Sequence, residues 1–115
     1  MSLKMPTLYI PHGGGPCFFM DWNPRGAWDS MASYLRGLAA TLPVRPKAII
    51  NISAHWLEDG FVVGSNPQPD LIFDYYGFPP YTYELKYPAK GDPALAARIR
   101  TLLAQAGLPE GEDKA

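Results

Sequence analysis

The sequence is sparing with the residues that most often carry chemistry: it has one cysteine, Cys17, and two histidines, His12 and His55. A single cysteine excludes an internal disulfide framework and makes a reducing, cytoplasmic setting the simplest expectation. Charge of one sign is also lacking. Ten basic residues stand against eleven acidic ones, for a net charge of −1. No basic stripe is present, so nucleic acid is not an expected partner. No apolar run approaches the ~20 residues a membrane span requires, so no membrane partner is expected either.

What is present suits a globular α/β chain. The length of 115 residues is about that of one domain, and 47% apolar with 13% aromatic residues is enough to build a core. Thirteen prolines and eleven glycines concentrate in 11–26, 64–69 and 77–93, so loops make up much of the chain.

The β-rich run 7–10 reads as a buried strand, followed by an irregular glycine loop over 12–26. Met31, Tyr34, Leu35, Leu38 and Leu42 fall at helical spacing and predict a helix over 27–42 that Pro43 and Pro46 end. The run KAIINISA, 47–54, is the strongest strand signal, and 60–65 is a further strand joined to it by a short turn. The aromatic, proline-rich stretch 68–91 reads as loop with a short helical turn. Asp92 as N-cap, Pro93 at the first helical position and Gly107 just past the end bracket the most secure helix, with Leu95, Ile99, Leu102 and Leu103 on one face. The polar ending GLPEGEDKA reads as a tail. The expected fold is α/β, a mostly parallel or mixed central sheet flanked by helices. Residues 1–115 would form a single partial domain, the N-terminal half of that fold.

In this reading strand 7–10, helix 27–42 and strand 47–54 form one βαβ unit, and each histidine follows a strand end. Parallel neighbouring strands would open both imidazoles at the sheet edge where α/β folds bind ligands, close enough to share one metal ion. Two ligands do not complete a site; Asp21, Glu58, Asp74 and Glu84 are candidates for the remainder. The bland alternative for each histidine is a hydrogen-bonding residue at a strand end.

Other readings compete for the same residues. HGGG resembles an oxyanion loop, but no G-x-S-x-G elbow accompanies it. GGGP resembles a phosphate cradle, but lacks the G-K-[ST] ending. Cys17 beside His12 is a candidate nucleophile, or a small buried apolar residue among Pro16, Phe18 and Phe19. Trp56 and Tyr76 are candidates to line a pocket for a planar ligand, with ordinary packing as the alternative.

Three segments carry a resemblance. PTLYIPHGGGP, AIINISAHW and DYYGFPPYTYELKYPAKGDPALAARI together resemble the N-terminal portion of the class III extradiol ring-cleavage dioxygenases, in the DOPA 4,5-dioxygenase-like branch. The resemblance implies a metal-dependent enzyme that opens a catechol-type ring with O2. It implies His12 and His55 as metal ligands, and Fe(II) as the metal with zinc as the alternative; a homo-oligomer is a further partner that the chain could require. It also implies another ligand and an acid/base histidine beyond residue 115, since no third histidine exists here. On that expectation the chain alone is inactive, and the glycines after His12 turn the backbone off the strand and leave space over a metal. A non-catalytic partial domain that folds only with a partner, and a zinc hydrolase, remain open.

Overall fold

A computed structural model describes residues 2–115. The chain divides into two compact units: residues up to Ile49 with Tyr75–Glu84, and Ile50–Asp74 with Leu85–Ala115.

In the first unit, helix α1 (Asp29–Gly37) tightens into a 3-10 turn over Leu38–Thr41. The predicted helix over 27–42 is thus present but shorter in its α part. Asp29 in its first turn complements the helix dipole, and Thr41 Oγ1 donates to the Leu38 carbonyl at 2.7 Å in the last. Ala32 is the buried position of α1, with Met31, Leu35 and Leu38 half-buried beside it. Tyr34, expected on that face, is exposed. The rest of the unit's interior is aromatic. Trp22 meets Trp28 edge-on with ring centroids 5.6 Å apart and stacks on Phe78 at 6.4 Å, and Tyr75 meets Phe78 at 5.3 Å and Tyr83 at 5.1 Å. A 3-10 turn over Pro80–Glu84 buries Thr82 completely. Its hydroxyl donates to the Pro79 carbonyl at 2.7 Å, and its own carbonyl accepts from Tyr75 Oη at 2.6 Å. This is the short helical turn expected within 68–91.

In the second unit, β1 (Phe61–Gly64) runs parallel to β2 (Glu110–Asp113), pairing Phe61 with Glu110 and Gly64 with Asp113. Helix α2 (Pro93–Gln105) precedes β2 and packs on both strands. A parallel pair needs such a crossover, and this one makes the fold α/β. Asp92 caps α2 by accepting the Leu95 N–H at 2.9 Å, Pro93 opens it, and Gly107 at φ +74° ends it. These bounds match the sequence signals. Ala96 is buried and Leu95, Ile99 and Leu103 are half-buried, whereas Leu102 is exposed.

Two sequence expectations differ from the structure. Residues 7–10 and 47–54 join no ladder among the described residues. Tyr9 is wholly exposed and Ile52 is 93% exposed. A β-rich run becomes a strand only where a partner accepts its backbone bonds, and composition cannot supply the partner. The βαβ unit of the structure is therefore β1–α2–β2. The second difference is β2 itself, which forms from the polar ending. Arg100 Nε and Nη1 lie 2.6 Å from Glu110 and 2.8 Å from Glu112, and Ser65 Oγ donates to Glu112 at 2.7 Å. Charge pairing thus holds a strand that its hydropathy conceals. Among the described residues no helix is long and apolar enough to cross a membrane.

Candidate functional site

His55 sits in a turn built by Ser53. The His55 N–H donates to Ser53 Oγ at 3.1 Å and the Trp56 N–H to the Ser53 carbonyl at 3.4 Å. These bonds fix the backbone from which the imidazole projects. Asp74 Oδ2 lies 2.9 Å from His55 Nδ1. An ionised carboxylate only accepts, so Nδ1 is the donor. The neutral ring then carries its lone pair on Nε2, where a proton or a metal ion can bind. The side chains of His55 and Asp74 are 59% and 48% exposed, so water screens the pair and it adds little to stability. Its consequence is orientation.

Trp56 is directed by a neighbour in the same way. Its indole Nε1–H donates to Glu58 Oε1 at 3.2 Å, and the ring is 38% exposed. An indole held by its polar edge offers its apolar face to a planar ligand. Tyr76, in the other unit, is 91% exposed and so is presented to solvent rather than packed.

His12 belongs to the first unit and is exposed at the head of the glycine loop. That loop is filled rather than open. Gly15 has φ +45°, in the left-handed region that favours glycine, and a Cβ there would stand 2.6 Å from the Phe78 ring. A Cβ on Gly14 would meet Trp22 at an ordinary contact distance of 3.5 Å. Gly15 therefore lets the Phe78 ring close on the backbone, and space over a ligand is not what it leaves there. The following 3-10 turn, Cys17–Phe19, buries Cys17, and burial pushes its thiol above the ordinary range. A buried thiol of raised pKa is a poor nucleophile, which favours its reading as a core residue.

The structure brings His55 together with Asp74, and Trp56 with Glu58. Among the described residues, no three or more His, Cys, Asp or Glu side chains gather into a cluster able to hold a metal ion. Imidazole is a donor that suits iron and zinc. Two roles were not visible in the sequence: Asp74 as the acceptor for the His55 ring, and Glu58 as the anchor of Trp56. The second had a local signal, since the residues are two apart beside a turn. The first had none, since His55 and Asp74 lie in separate segments of the sequence.

One imidazole thus stands in a Ser-Ala-His-Trp turn and the other at the head of a Gly-rich loop. Comparison with known families is specific. Residues 6–114 match the family described as the catalytic LigB subunit of aromatic ring-opening dioxygenase, and the chain belongs to that family. It is 49% identical over 101 residues to the 4,5-DOPA dioxygenase extradiol of Beta vulgaris, covering 88% of this chain and 36% of that protein. It is 40% identical over 103 residues to the 4,5-DOPA dioxygenase extradiol of Escherichia coli K12, covering 90% and 35%. It is 40% identical over 112 residues to the dioxygenase tasH of Hapsidospora irregularis, covering 90% and 33%. The chain thus spans about a third of the length of the curated relatives it matches.

Proposed function

We propose that the chain is part of a metal-dependent, catechol-type ring-opening dioxygenase, with His12 and His55 as two of its metal ligands. The observation that carries this reading is that the family match over residues 6–114 contains both histidines, in the frames PHGGGP and SAHW. The donor chemistry fits. Neutral imidazole suits Fe(II), the proposed metal, and zinc, the alternative. His55 also makes the Nδ1–carboxylate contact that metal-ligating histidines commonly make. When bound, such an ion supplies open positions for the two oxygens of a diol and for O2. The chain's own residues would do the rest of the positioning. His12 and His55 hold the ion, while Trp56, steadied by Glu58, and Tyr76 border the aromatic substrate. The remaining ligand and the acid/base histidine are supplied from outside these 115 residues. A cytoplasmic location is supported by the lone buried cysteine.

Metal titration of the chain tests the ligand assignment. His12→Ala and His55→Ala are each expected to weaken Fe(II) or zinc binding by about tenfold or more. Full metal occupancy in both variants overturns it.

A second reading has its own observation. Tyr9, Ile50, Ile52 and Leu57 are all more than half exposed, a pattern expected of surface that another chain or segment covers. In that reading the 115 residues are a non-catalytic portion that associates with a partner or with itself. Catechol-dependent O2 uptake by this chain with added Fe(II) rules it out; concentration-dependent association without uptake supports it.

A further inference from the structure

We propose that Asp74 is a positioning residue for His55: its carboxylate holds the Nδ1–H and so makes Nε2 the nitrogen presented to a divalent metal ion. This rests on the reading of His55 as a metal ligand and deepens it. Three observations converge. Asp74 Oδ2 is 2.9 Å from His55 Nδ1, a direct hydrogen-bond distance. Ser53 pins the turn on both sides of the His55 ring, its hydroxyl accepting the His55 N–H at 3.1 Å and its carbonyl accepting the Trp56 N–H at 3.4 Å, so the ring's remaining freedom is rotation about its own side-chain bonds. The neighbouring carboxylate of Glu58 accepts from the Trp56 indole at 3.2 Å, while the Asp74 carboxylate is the one at hydrogen-bond distance from the His55 ring.

The chemistry follows from the inventory of donors. A neutral imidazole has one N–H and one lone pair, and whichever nitrogen donates cannot ligate. Unassisted imidazole side chains in water favour the hydrogen on Nε2, which would put the lone pair on Nδ1, close to the backbone. A carboxylate at Nδ1 reverses that preference and turns the lone pair outward. The pair is too exposed to be explained by stability, since a screened surface pair contributes little.

The test uses the full chain, metal-free and labelled with ¹⁵N-histidine, at about pH 8, above the ordinary histidine range. Long-range ¹H–¹⁵N spectra read which ring nitrogen carries the hydrogen, and titration with zinc alone then reads affinity. The expected result is Nδ1–H at His55 in the parent chain, a shift toward Nε2–H in Asp74→Asn, and recovery toward Nδ1–H in Asp74→Glu. Zinc binding should weaken by about 10–100-fold in Asp74→Asn, the range usual for such outer partners. A purely structural role would move neither the tautomer nor its recovery by glutamate. Nε2–H in the parent chain overturns the proposal, as does Asp74→Asn with either the tautomer or the zinc affinity unchanged. His55→Ala separates the two levels. If that variant keeps full affinity, the ligand reading fails, whereas retained affinity in Asp74→Asn alone overturns only the role of Asp74.

Discussion

The first unit sets Trp22, Trp28, Tyr75, Phe78 and Tyr83 against one another around a glycine loop, whereas the second joins β1, α2 and β2 by ladder bonds and by the contacts of Arg100. Neither buries much aliphatic side chain: Cys17 and Ala32 are the buried apolar residues named in one, and Ala96 in the other. Ring contacts are insensitive to salt and acid and contribute roughly 0.5–1.5 kcal/mol per pair beyond area burial. Charged contacts at a surface depend on both salt and pH. The comparison teaches that each histidine is set on a different kind of support. His12 heads a loop clamped by rings, and His55 stands in a turn held by hydrogen bonds and a carboxylate.

Two glycines give the comparison its largest expected effects. A Cβ on Gly91 would run into the backbone carbonyl of Asn66, in a segment where the Gly91 N–H donates to the Pro67 carbonyl at 3.0 Å. Backbone cannot swing aside, so Gly91→Ala is expected to cost about 3 kcal/mol, the upper part of the range for overpacking. Gly15→Ala must hold alanine at φ +45° with Phe78 2.6 Å away, but a ring can shift, so about 2 kcal/mol is expected. Urea unfolding gives the totals. Amide hydrogen exchange gives the location: protection should fall first at Val63 and Ile99 for Gly91→Ala, and at Ala32 and Thr82 for Gly15→Ala. Equal loss in both units from either variant breaks the comparison.

A pair of smaller substitutions sharpens it. Tyr75→Phe removes the hydroxyl that donates to the Thr82 carbonyl at 2.6 Å and leaves a buried acceptor short of a partner, while keeping the ring. The expected loss is about 1 kcal/mol. Asp92→Ala removes the N-cap of α2, whose carboxylate accepts from Leu95 at 2.9 Å, and is also expected to cost about 1 kcal/mol. The difference lies in where the loss appears. Amide hydrogen exchange should lose protection first at Thr82 for Tyr75→Phe and at Ile99 for Asp92→Ala. Urea midpoints of both variants at pH 7 give the totals, and protection lost equally in both units would contradict the distinction.

What the sequence disclosed follows the same division. α2 was legible to within its caps because its signals are local: Asp92, Pro93 and Gly107 lie within a turn of the ends they define. β1 was legible from Phe61, Val62 and Val63, which are β-rich and bounded by glycines. β2 was not, because Glu110 and Glu112 look like a solvated tail until Arg100 and Ser65 are placed beside them. The runs around Tyr9 and Ile50 misled in the other direction, since β-branched and aromatic composition says how well a strand would pair and not whether a partner is there. For the candidate site, His12, His55 and Trp56 were readable as residue types in a motif frame. The carboxylates beside His55 and Trp56 were not, since a contact between residues as distant in sequence as His55 and Asp74 leaves no periodic signal. Asp74 read as a ligand candidate, and the structure sets its carboxylate 2.9 Å from the His55 ring.

The smallest expected effect lies at the second unit's charged edge. The Ser65 hydroxyl, donating at 2.7 Å, is the main cause holding the Glu112 carboxyl below its ordinary range; Lys114 and Arg100 act in the same direction, and partial burial opposes them. A depressed folded value means that the charged form is favoured by folding. The contribution is therefore fully present above the unfolded value, near ~4.3, and is lost as pH falls through the folded one. Arg100, raised first by its hydrogen bond to Glu110 and then by Glu112, stays protonated throughout and adds no further transition in the acid range. Ser65→Ala should accordingly be slightly less stable than the parent at pH 7 and indistinguishable from it below the folded value of Glu112. Urea midpoints of the two chains, taken stepwise from pH 7 to pH 3, should converge. A gap that stays constant across that interval would mean that Ser65 acts through its bond to the Asp113 carbonyl, at 3.3 Å, and not through the charge of Glu112.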